Sequence, residues 1–198
     1  MDKNISRKFF NDQAEHWDDT AGNTDPEKLR WLADHMIIPK DAWILDVGTG
    51  TGVFLPYLKE ITNNIGKIIC VDFAFKMLTI AQNKNNDHLT HYICSEIETL
   101  RFCCELFDAV ICFSAFPHFH DKPLALSKIF TILKPGGGLY ICHSASRETI
   151  NNIHQNIPDF QDHLLPGKDE MNELFSTAGY GFINIEEHPD YYLASARK

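Results

Sequence analysis

Nearly continuous apolar runs of strand length alternate with segments of helical periodicity along most of the chain. Such runs are typical of parallel strands, because helices cover both faces of a parallel sheet. Two further runs near the C-terminus complete a set of seven. The predicted strands are residues 42–47, 66–72, 91–96, 107–113, 137–144, 182–187 and 191–197.

Helical patterns fill the spaces between these runs, and specific residues mark some of their ends. Asp25 is placed to cap the first helix, and Pro26 occupies the first helical position, where an N–H is not needed. A later helix is expected to end at Pro135 and the glycines that follow it. The predicted helices are residues 25–37, 51–62, 74–84, 122–134, 147–157 and 168–180.

This alternation predicts an α/β fold with a doubly wound, mostly parallel, seven-stranded Rossmann-like sheet. The short turn at His188-Pro189-Asp190 predicts that the sheet finishes in a C-terminal antiparallel hairpin. No repeat, low-complexity segment or interdomain linker interrupts the pattern, so we expect residues 1–198 to form a single domain.

The N-terminal stretch is polar and rich in aromatic side chains. We expect residues 1–24 to form a flap that closes over the active site and excludes water. Phe9, Phe10 and Trp17 would supply its apolar surface, and Trp17 is expected to contact substrate.

Composition narrows the cellular setting. The net charge is −9 and no cluster of Lys or Arg is present, so we expect no nucleic-acid partner. The N-terminus lacks an apolar signal-peptide core, and no segment is long enough to span a bilayer. Four of the six cysteines lie in apolar runs and none forms a C-x-x-C pair. These features predict a reduced, cytoplasmic protein, as a monomer or homodimer.

Candidate chemistry begins at the glycine-rich stretch "WILDVGTGTGV". Its glycines are Gly48, Gly50 and Gly52. A dinucleotide fingerprint would need its third glycine at the position of Val53, and a phosphate-binding P-loop would need a lysine that is absent here. Asp46 would also repel a pyrophosphate, whereas it would suit a ligand that carries a positive charge.

Acidic residues also end the next two predicted strands. Asp72, twenty residues after Gly52, is placed to accept hydrogen bonds from ribose hydroxyls. Glu96 ends the third strand and is placed to recognise a base. Because ligands of open α/β sheets bind at the carboxyl ends of the strands, this set predicts a nucleoside with a positively charged tail.

Five motifs now resemble, in order, those of class I S-adenosylmethionine-dependent methyltransferases, especially the small-molecule and quinone/sterol-type branch with a methyltransferase-11-like domain. The motifs are "ILDVGTGTG", "VDFAFKML", "CSEIETLRF", "FDAVICFSAFPHF" and "LKPGGGLYI". Glu96 stands where this family usually has Asp, and its longer side chain can still accept from an amine. "FSAFPHF" lacks the Asn/Asp-Pro-Pro-Tyr motif of enzymes that methylate bases or glutamine, which disfavours such acceptors.

The resemblance implies S-adenosylmethionine as cofactor and a residue set that holds it. Asp72 would bind the ribose, Phe73 and Met77 would contact adenine, and Glu96 with Ile97 would contact its amino group and N1. The implied cofactor-binding residues are Asp46, Gly48, Thr49, Gly50, Gly52, Asp72, Phe73, Met77, Glu96, Ile97 and Phe113.

The implied activity is transfer of a methyl group to a small-molecule acceptor by in-line displacement, with O, N, S and C all open as the methylated atom. Two alternatives also remain open. One is a nicotinamide-dependent oxidoreductase on the same fold, which Val53 disfavours. The other is a subunit that binds S-adenosylmethionine without turnover.

Ten histidines are present, and two of them follow strands at the expected substrate edge. His118 and His143 are therefore candidate general bases, and Arg147 is a candidate anchor for a substrate carboxylate. We predict no metal; a site made of His118, His143 and His154 is the alternative, although no spaced metal-binding motif supports it. The predicted substrate-binding residues are Trp17, Phe116, His118, His143 and Arg147.

Overall fold

A computed structural model describes residues 3–20 and 25–198 of the chain. Its seven strands form one sheet in the order β3-β2-β1-β4-β5-β7-β6. The strands are β1 (Trp43–Val47), β2 (Lys67–Asp72), β3 (Thr90–Cys94), β4 (Phe107–Phe113), β5 (Leu133–His143), β6 (Gly181–Glu187) and β7 (Tyr192–Arg197).

The first five strands run parallel, and β7 lies antiparallel between β5 and β6. This arrangement confirms the predicted mostly parallel, doubly wound sheet with an antiparallel C-terminal hairpin. It also shows that the last strand of the chain is inserted inside the sheet, while β6 forms the edge.

Helices cover the sheet, and two single 3₁₀ turns lie at Ala14–His16 and Phe116–His118. Within the described residues, no helix combines the length and the apolar content that crossing a bilayer requires. The helices are α1 (Lys3–Gln13), α2 (Trp17–Thr20), α3 (Pro26–Asp34), α4 (Leu55–Ile61), α5 (Phe75–Lys84), α6 (Lys122–Ile132), α7 (Arg147–Gln155) and α8 (Lys168–Thr177).

Two apolar layers sandwich the sheet, because successive side chains of a strand point to opposite faces. On β1, Leu45 packs in the layer that contains α6 and α8, whereas Ile44 packs in the layer of α3, α4 and α5. A third cluster joins Phe10 of α1 to Met77 of α5 and to Phe160. The N-terminal helices therefore pack on α5 rather than on the sheet.

Several predicted ends shift for identifiable reasons. Asp25 caps α3 as predicted, and its carboxylate accepts a hydrogen bond from the Glu27 N–H at 2.9 Å. The strand predicted at residues 137–144 begins earlier, since Leu133 already pairs with Phe107 before a bulge interrupts the ladder. The glycines after Pro135 therefore lie inside β5.

The loop after β1 approaches the loop after β4 very closely. Gly48 has a φ of 73°, and a Cβ added to it would lie 2.3 Å from the Cβ of Ala115. Its N–H donates to the carbonyl of Val71 at 2.7 Å. Since strand order reverses between β1 and β4, this close approach forms the floor of the crevice where an open α/β sheet binds ligands.

Gly48→Ala is expected to lower the free energy of unfolding by more than positive φ alone explains. Positive φ costs a non-glycine residue about 1–2 kcal/mol, and the overlap with Ala115 adds about 1–3 kcal/mol. Gly136→Ala is the matched control, because Gly136 has a φ of 76° and open space around its added Cβ. Urea unfolding of both variants measures the difference.

The double variant Gly48→Ala/Ala115→Gly should recover the part of the lost free energy of unfolding that comes from the overlap with Ala115. Equal destabilisation by Gly48→Ala and Gly136→Ala would contradict the close approach.

Candidate active site

A pocket of about 1100 Å³, counted with its open mouth, lies at the carboxyl edge of the sheet. The loops after β1, β2, β3 and β4 form its wall, and α1 and α2 contribute Phe10 and Trp17. Of the residues predicted to bind cofactor or substrate, those in this wall are Trp17, Gly48, Thr49, Gly50, Asp72, Phe73, Met77, Glu96, Ile97, Phe113 and His118.

Gly50 and Gly52 serve different purposes in the loop after β1. A Cβ added to Gly50 would meet no atom within 4 Å, so the Gly50 backbone faces open space in the pocket. A Cβ added to Gly52 would lie 3.0 Å from the Cβ of Ala81 on α5. Gly52 is therefore outside the wall, and it makes room for α5 rather than for a ligand.

Asp72 links the loops that follow β1 and β2. Its Oδ2 accepts the Gly50 N–H at 2.8 Å, and its Oδ1 accepts the Ala74 N–H at 2.7 Å. Burial raises the pKa of Asp72 to about 6, against the opposing effect of these backbone hydrogen bonds. An ionised carboxylate has about four acceptor positions, so Asp72 retains capacity for two ribose hydroxyls.

Asp46 does not occupy the position that the sequence predicted. It is 2% exposed and lies behind the loop, outside the pocket wall, so it does not face a positively charged ligand. Burial raises the pKa of Asp46 to about 7; a hydrogen bond with Thr49 opposes this, and the nearby charge of Asp72 adds to it. Asp46 therefore supports the loop from beneath.

One end of the pocket offers an apolar slot with an acid at its rim. Phe73, Met77 and Ile97 supply the apolar surface. Glu96 accepts a hydrogen bond from the Arg7 guanidinium of α1 at 2.9 Å. This combination fits a purine, which needs flat apolar contact and an acceptor for its amino group.

The N-terminal helices are fastened to α5 and to the glycine loop. The Lys76 N–H on α5 donates to the Asn11 side-chain oxygen at 2.9 Å, and the Thr51 hydroxyl donates to Asp18 at 2.5 Å. Asp18 also forms an ion pair with Lys84. Phe10, wedged edge-on against Phe73, is therefore held over the pocket.

Three histidines meet at the other end of the pocket. His118 Nδ1 lies 2.8 Å from His163 Nδ1, and both residues line the wall. His154 Nδ1 lies 2.5 Å from the His163 carbonyl oxygen, to which it donates. Burial lowers the pKa of all three rings, to about 4 for His163.

Three predicted substrate contacts lie outside the wall. His143 is 1% exposed, neither of its ring nitrogens has a hydrogen-bond partner, and burial lowers its pKa to about 3. Arg147 pairs instead with Glu187 at 2.9 Å. Phe116 is fully buried among core residues below the pocket. The geometry therefore does not support contact between substrate and these side chains.

The alternative metal site is not assembled. Across residues 3–20 and 25–198, no group of three or more His, Cys, Asp or Glu side chains is arranged to hold a metal ion. His118 and His154 make hydrogen bonds within the histidine cluster, while His143 is enclosed in the protein interior.

Sequence reasoning missed several wall residues, among them Ser6, Glu98, Phe119, His120 and His163. His163 lies between α7 and α8 without helical or strand periodicity, so no local pattern assigns it to the site. The excess of histidines in the second half of the chain was the available signal.

Comparison with known proteins now adds to this geometry. Residues 45–141 match the model of a methyltransferase domain. The chain is 29% identical over 155 residues to a ubiquinone/menaquinone biosynthesis C-methyltransferase, UbiE, of Vibrio parahaemolyticus, and the match covers 74% of this chain and 58% of that protein. Over residues 45–141 these matches support the resemblance to class I S-adenosylmethionine-dependent methyltransferases.

Two solved structures share its fold. A putative methyltransferase of Haloferax volcanii, solved in complex with the Trm112 methyltransferase activator, superimposes with a TM-score of 0.78 at 19% identity, covering 95% of this chain and 96% of that one. A methyltransferase of Aquifex aeolicus superimposes with a TM-score of 0.70 at 20% identity, covering 89% and 95%.

The family's cofactor is S-adenosylmethionine, and the wall fits it. Gly50 leaves space that any side chain would fill, Asp72 keeps acceptor capacity for the ribose, and Glu96 stands beside the apolar slot. These features would hold the nucleoside part of this cofactor.

The affinity for S-adenosylhomocysteine is expected to rise as pH increases through about 6, the raised pKa of Asp72. Above that pH the ionised carboxylate accepts both ribose hydroxyls, whereas below it the protonated acid has lost acceptor capacity. Calorimetry on both sides of this pH measures the effect. Asp72→Asn should bind S-adenosylhomocysteine weakly and without this pH dependence. Asp46→Asn shows whether the titration of Asp46 contributes to the pH dependence. A pH-independent wild-type affinity would count against Asp72 as the ribose acceptor.

Proposed function

We propose that this methyltransferase transfers a methyl group to an uncharged small-molecule acceptor by in-line displacement. The observation that carries the proposal is the Gly50–Asp72 cradle, which opens into the same pocket as the histidine cluster. When bound, S-adenosylmethionine supplies an activated methyl group on a positively charged sulfur. The task of the chain is then to align the acceptor, which can provide about 7–11 kcal/mol of the barrier.

The charge of the wall supports an uncharged acceptor. Among the described residues that line the pocket, none is Lys or Arg. A phosphate or carboxylate group would therefore lack the cationic partner that such groups normally find in proteins. Phe10, Trp17 and Phe119 offer aromatic surface instead, which suits a neutral ring.

The name of the UbiE relative supports carbon as the methylated atom, since that protein is a C-methyltransferase. The oxygen, nitrogen and sulfur acceptors that the sequence left open are the competing outcomes. This chain spans 58% of that relative's length, so the identity of its acceptor needs a direct test.

Neither sequence-level alternative gains support. A nicotinamide enzyme of the doubly wound type has the strand order 3-2-1-4-5-6, whereas here β7 is inserted antiparallel between β5 and β6. A binding subunit without turnover would not need the polar groups of His118 and His163 at the acceptor end of the pocket.

A broad acceptor screen that measures S-adenosylhomocysteine release tests the activity. Wild-type protein should methylate neutral aromatic or enolic compounds in preference to carboxylates and phosphates. Asp72→Ala is the control variant. It should bind the cofactor about 10- to 100-fold more weakly, because the cofactor loses its hydrogen bonds to a charged carboxylate. Equal release by the two proteins on every acceptor, or preference for anionic acceptors, would contradict the proposal.

We also propose that the N-terminal helices act as the closing flap. Residues 1, 2 and 21–24 of the predicted flap lie outside the described residues. Arg7 and Asp18 supply the ionic contacts that would hold the closed state, and Phe10 with Trp17 would cover the pocket. The Asp18–Lys84 pair is exposed on both sides and the Arg7–Glu96 pair on the Arg7 side, so solvent weakens each pair and the closed state can open.

Limited proteolysis with and without S-adenosylhomocysteine tests the flap. Cleavage before Asp25 should slow when the ligand is bound, because closure protects α1 and α2. Arg7→Gln should speed cleavage in the free protein, while Arg101→Gln, an exposed residue outside the pocket wall, should not. Identical cutting rates with and without ligand would rule out closure.

The setting is proposed as the cytoplasm, with the chain as a monomer or homodimer. The support for this location is that all six cysteines are free thiols, which fits a reducing compartment. The Haloferax volcanii protein was solved with a Trm112 activator, so a protein partner is a competing outcome for gel filtration of the purified chain.

A further inference from the structure

We propose that His118 and His163 form one proton-accepting pair, in which His118 takes the proton of the methyl acceptor and His163 relays it. This inference rests on the proposed methyl transfer and identifies the side chains that make it complete. His118 is thus the catalytic group, and His163 is the positioning group that acts through it.

The short distance between the two rings fixes how they share protons. Their Nδ1 atoms are 2.8 Å apart, so one nitrogen must donate and the other must accept. In the neutral pair, the donating ring has a bare Nε2 and the accepting ring carries Nε2–H. A shift of the shared proton alone would leave one ring an anion and the other a cation, so this proton moves only when the bare Nε2 of the donating ring gains a proton.

His154 fixes the position of His163 in this pair. A carbonyl oxygen only accepts, so His154 Nδ1 carries the hydrogen of its contact with the His163 carbonyl at 2.5 Å. The side-chain amide of Asn151 and the backbone of Leu165 also bond to each other in both directions, which ties the same loop to α7. The loop is therefore anchored at His163 and at Leu165.

The ring of His118 is held in place and retains access to the pocket. Phe10 and Phe160 contact its ring edge to face, at centroid distances of 5.0 and 5.4 Å. Within the described part of the chain, the buried side-chain nitrogens without a partner belong to His143. His118 Nε2 is not among these buried atoms, and His163 bonds only to His118 Nδ1. His118 Nε2 is therefore in contact with the open space of the pocket.

The surroundings keep the resting pair neutral. Burial lowers the pKa of His118, and His154, His163, His143 and Lys122 lower it further from α7, the following loop, β5 and α6. A neutral imidazole is the form that can accept a proton. The charge it gains is costly in this environment, and a second imidazole that takes over the proton reduces that cost.

Burial, rather than charge, sets the direction of the relay. Desolvation is greater for His118 than for His163, which is half-buried, so water solvates a proton on His163 better. Asp162 favours a proton on His163, while Lys122 and His154 oppose it. We therefore expect the proton to move from His118 to His163 and then to solvent.

The overall step balances in atoms and charge. As the new bond to the acceptor forms, the methyl–sulfur bond breaks and its electron pair stays on sulfur, while the acceptor loses a proton to His118 Nε2. The Nδ1 proton of His118 passes to His163 Nδ1, and His163 Nε2 gives a proton to water, which makes the pair neutral. After the product leaves, His118 Nε2 loses its proton to water, the shared proton returns to His118 Nδ1 and His163 Nε2 regains a proton, so one proton is released in all. The acceptor must accordingly be a neutral acid, such as a phenol or an enol.

The first test needs no acceptor. Protein labelled with ¹⁵N-histidine and saturated with S-adenosylhomocysteine is titrated by NMR. His118 and His163 should show neutral rings with one shared Nδ1 proton and coupled titration well below neutral pH. His163→Asn should change the nitrogen signals of His118, and His91→Asn on the exposed side of β3 should not. Unchanged His118 signals in His163→Asn would overturn the pair.

The second test uses the acceptor that the screen identifies. His118→Ala should lower kcat by about 10²–10⁴-fold, and added imidazole should restore part of it. His163→Asn should lower kcat and shift the pH profile without changing the affinity for S-adenosylhomocysteine. Normal kcat and an unshifted profile in His163→Asn would overturn the relay. Absence of any wild-type turnover would instead refute the proposed function, and the NMR result would still decide the pair.

Discussion

The hydrogen bond from the Gly50 N–H to the Asp72 carboxylate is the constraint on which the site depends. It joins the loop after β1 to the loop after β2, while Gly48 presses the first of these against the loop after β4. Three strand ends are thereby fixed relative to one another before any ligand arrives. The cradle is preorganised, so binding a nucleoside need not order these loops.

Burial divides the pocket into two ends with opposite chemistry. At the end beside the glycine loop it raises the pKa of Asp72, and at the other end it lowers the pKa of His118 and His163. Both effects favour the uncharged form, because removing water penalises charge of either sign. A positively charged cofactor would favour the ionised form of the buried acid nearby, while the neutral imidazoles remain ready to take a proton.

The N-terminal helices complete the site through side chains rather than through the sheet. Phe10 contacts His118 and Phe73, which belong to opposite ends of the pocket, and Arg7 reaches Glu96. The proposed closure of these helices would therefore act on the apolar slot and on the histidine cluster together. Removal of water strengthens the electrostatic interactions inside such a site.

Local sequence patterns were sufficient to predict the fold. The apolar runs and turn residues predicted all seven strands, because burial on both faces of a sheet imposes a composition that each strand carries by itself. Asp25 as a helix cap and the C-terminal hairpin followed in the same way. The insertion of β7 inside the sheet depends on pairing between distant segments, which no local pattern encodes.

The sequence by itself determined the fold class and the resemblance to a methyltransferase family, and it placed most of the predicted cofactor residues at the ends of strands, where the pocket lies. Tertiary structure decided the rest. It placed Asp46 and Gly52 behind the wall, enclosed His143, engaged Arg147 with Glu187, and brought His163 to His118 across 45 residues. Contacts between segments so far apart arise from packing, and packing is not visible in the order of residues along the chain.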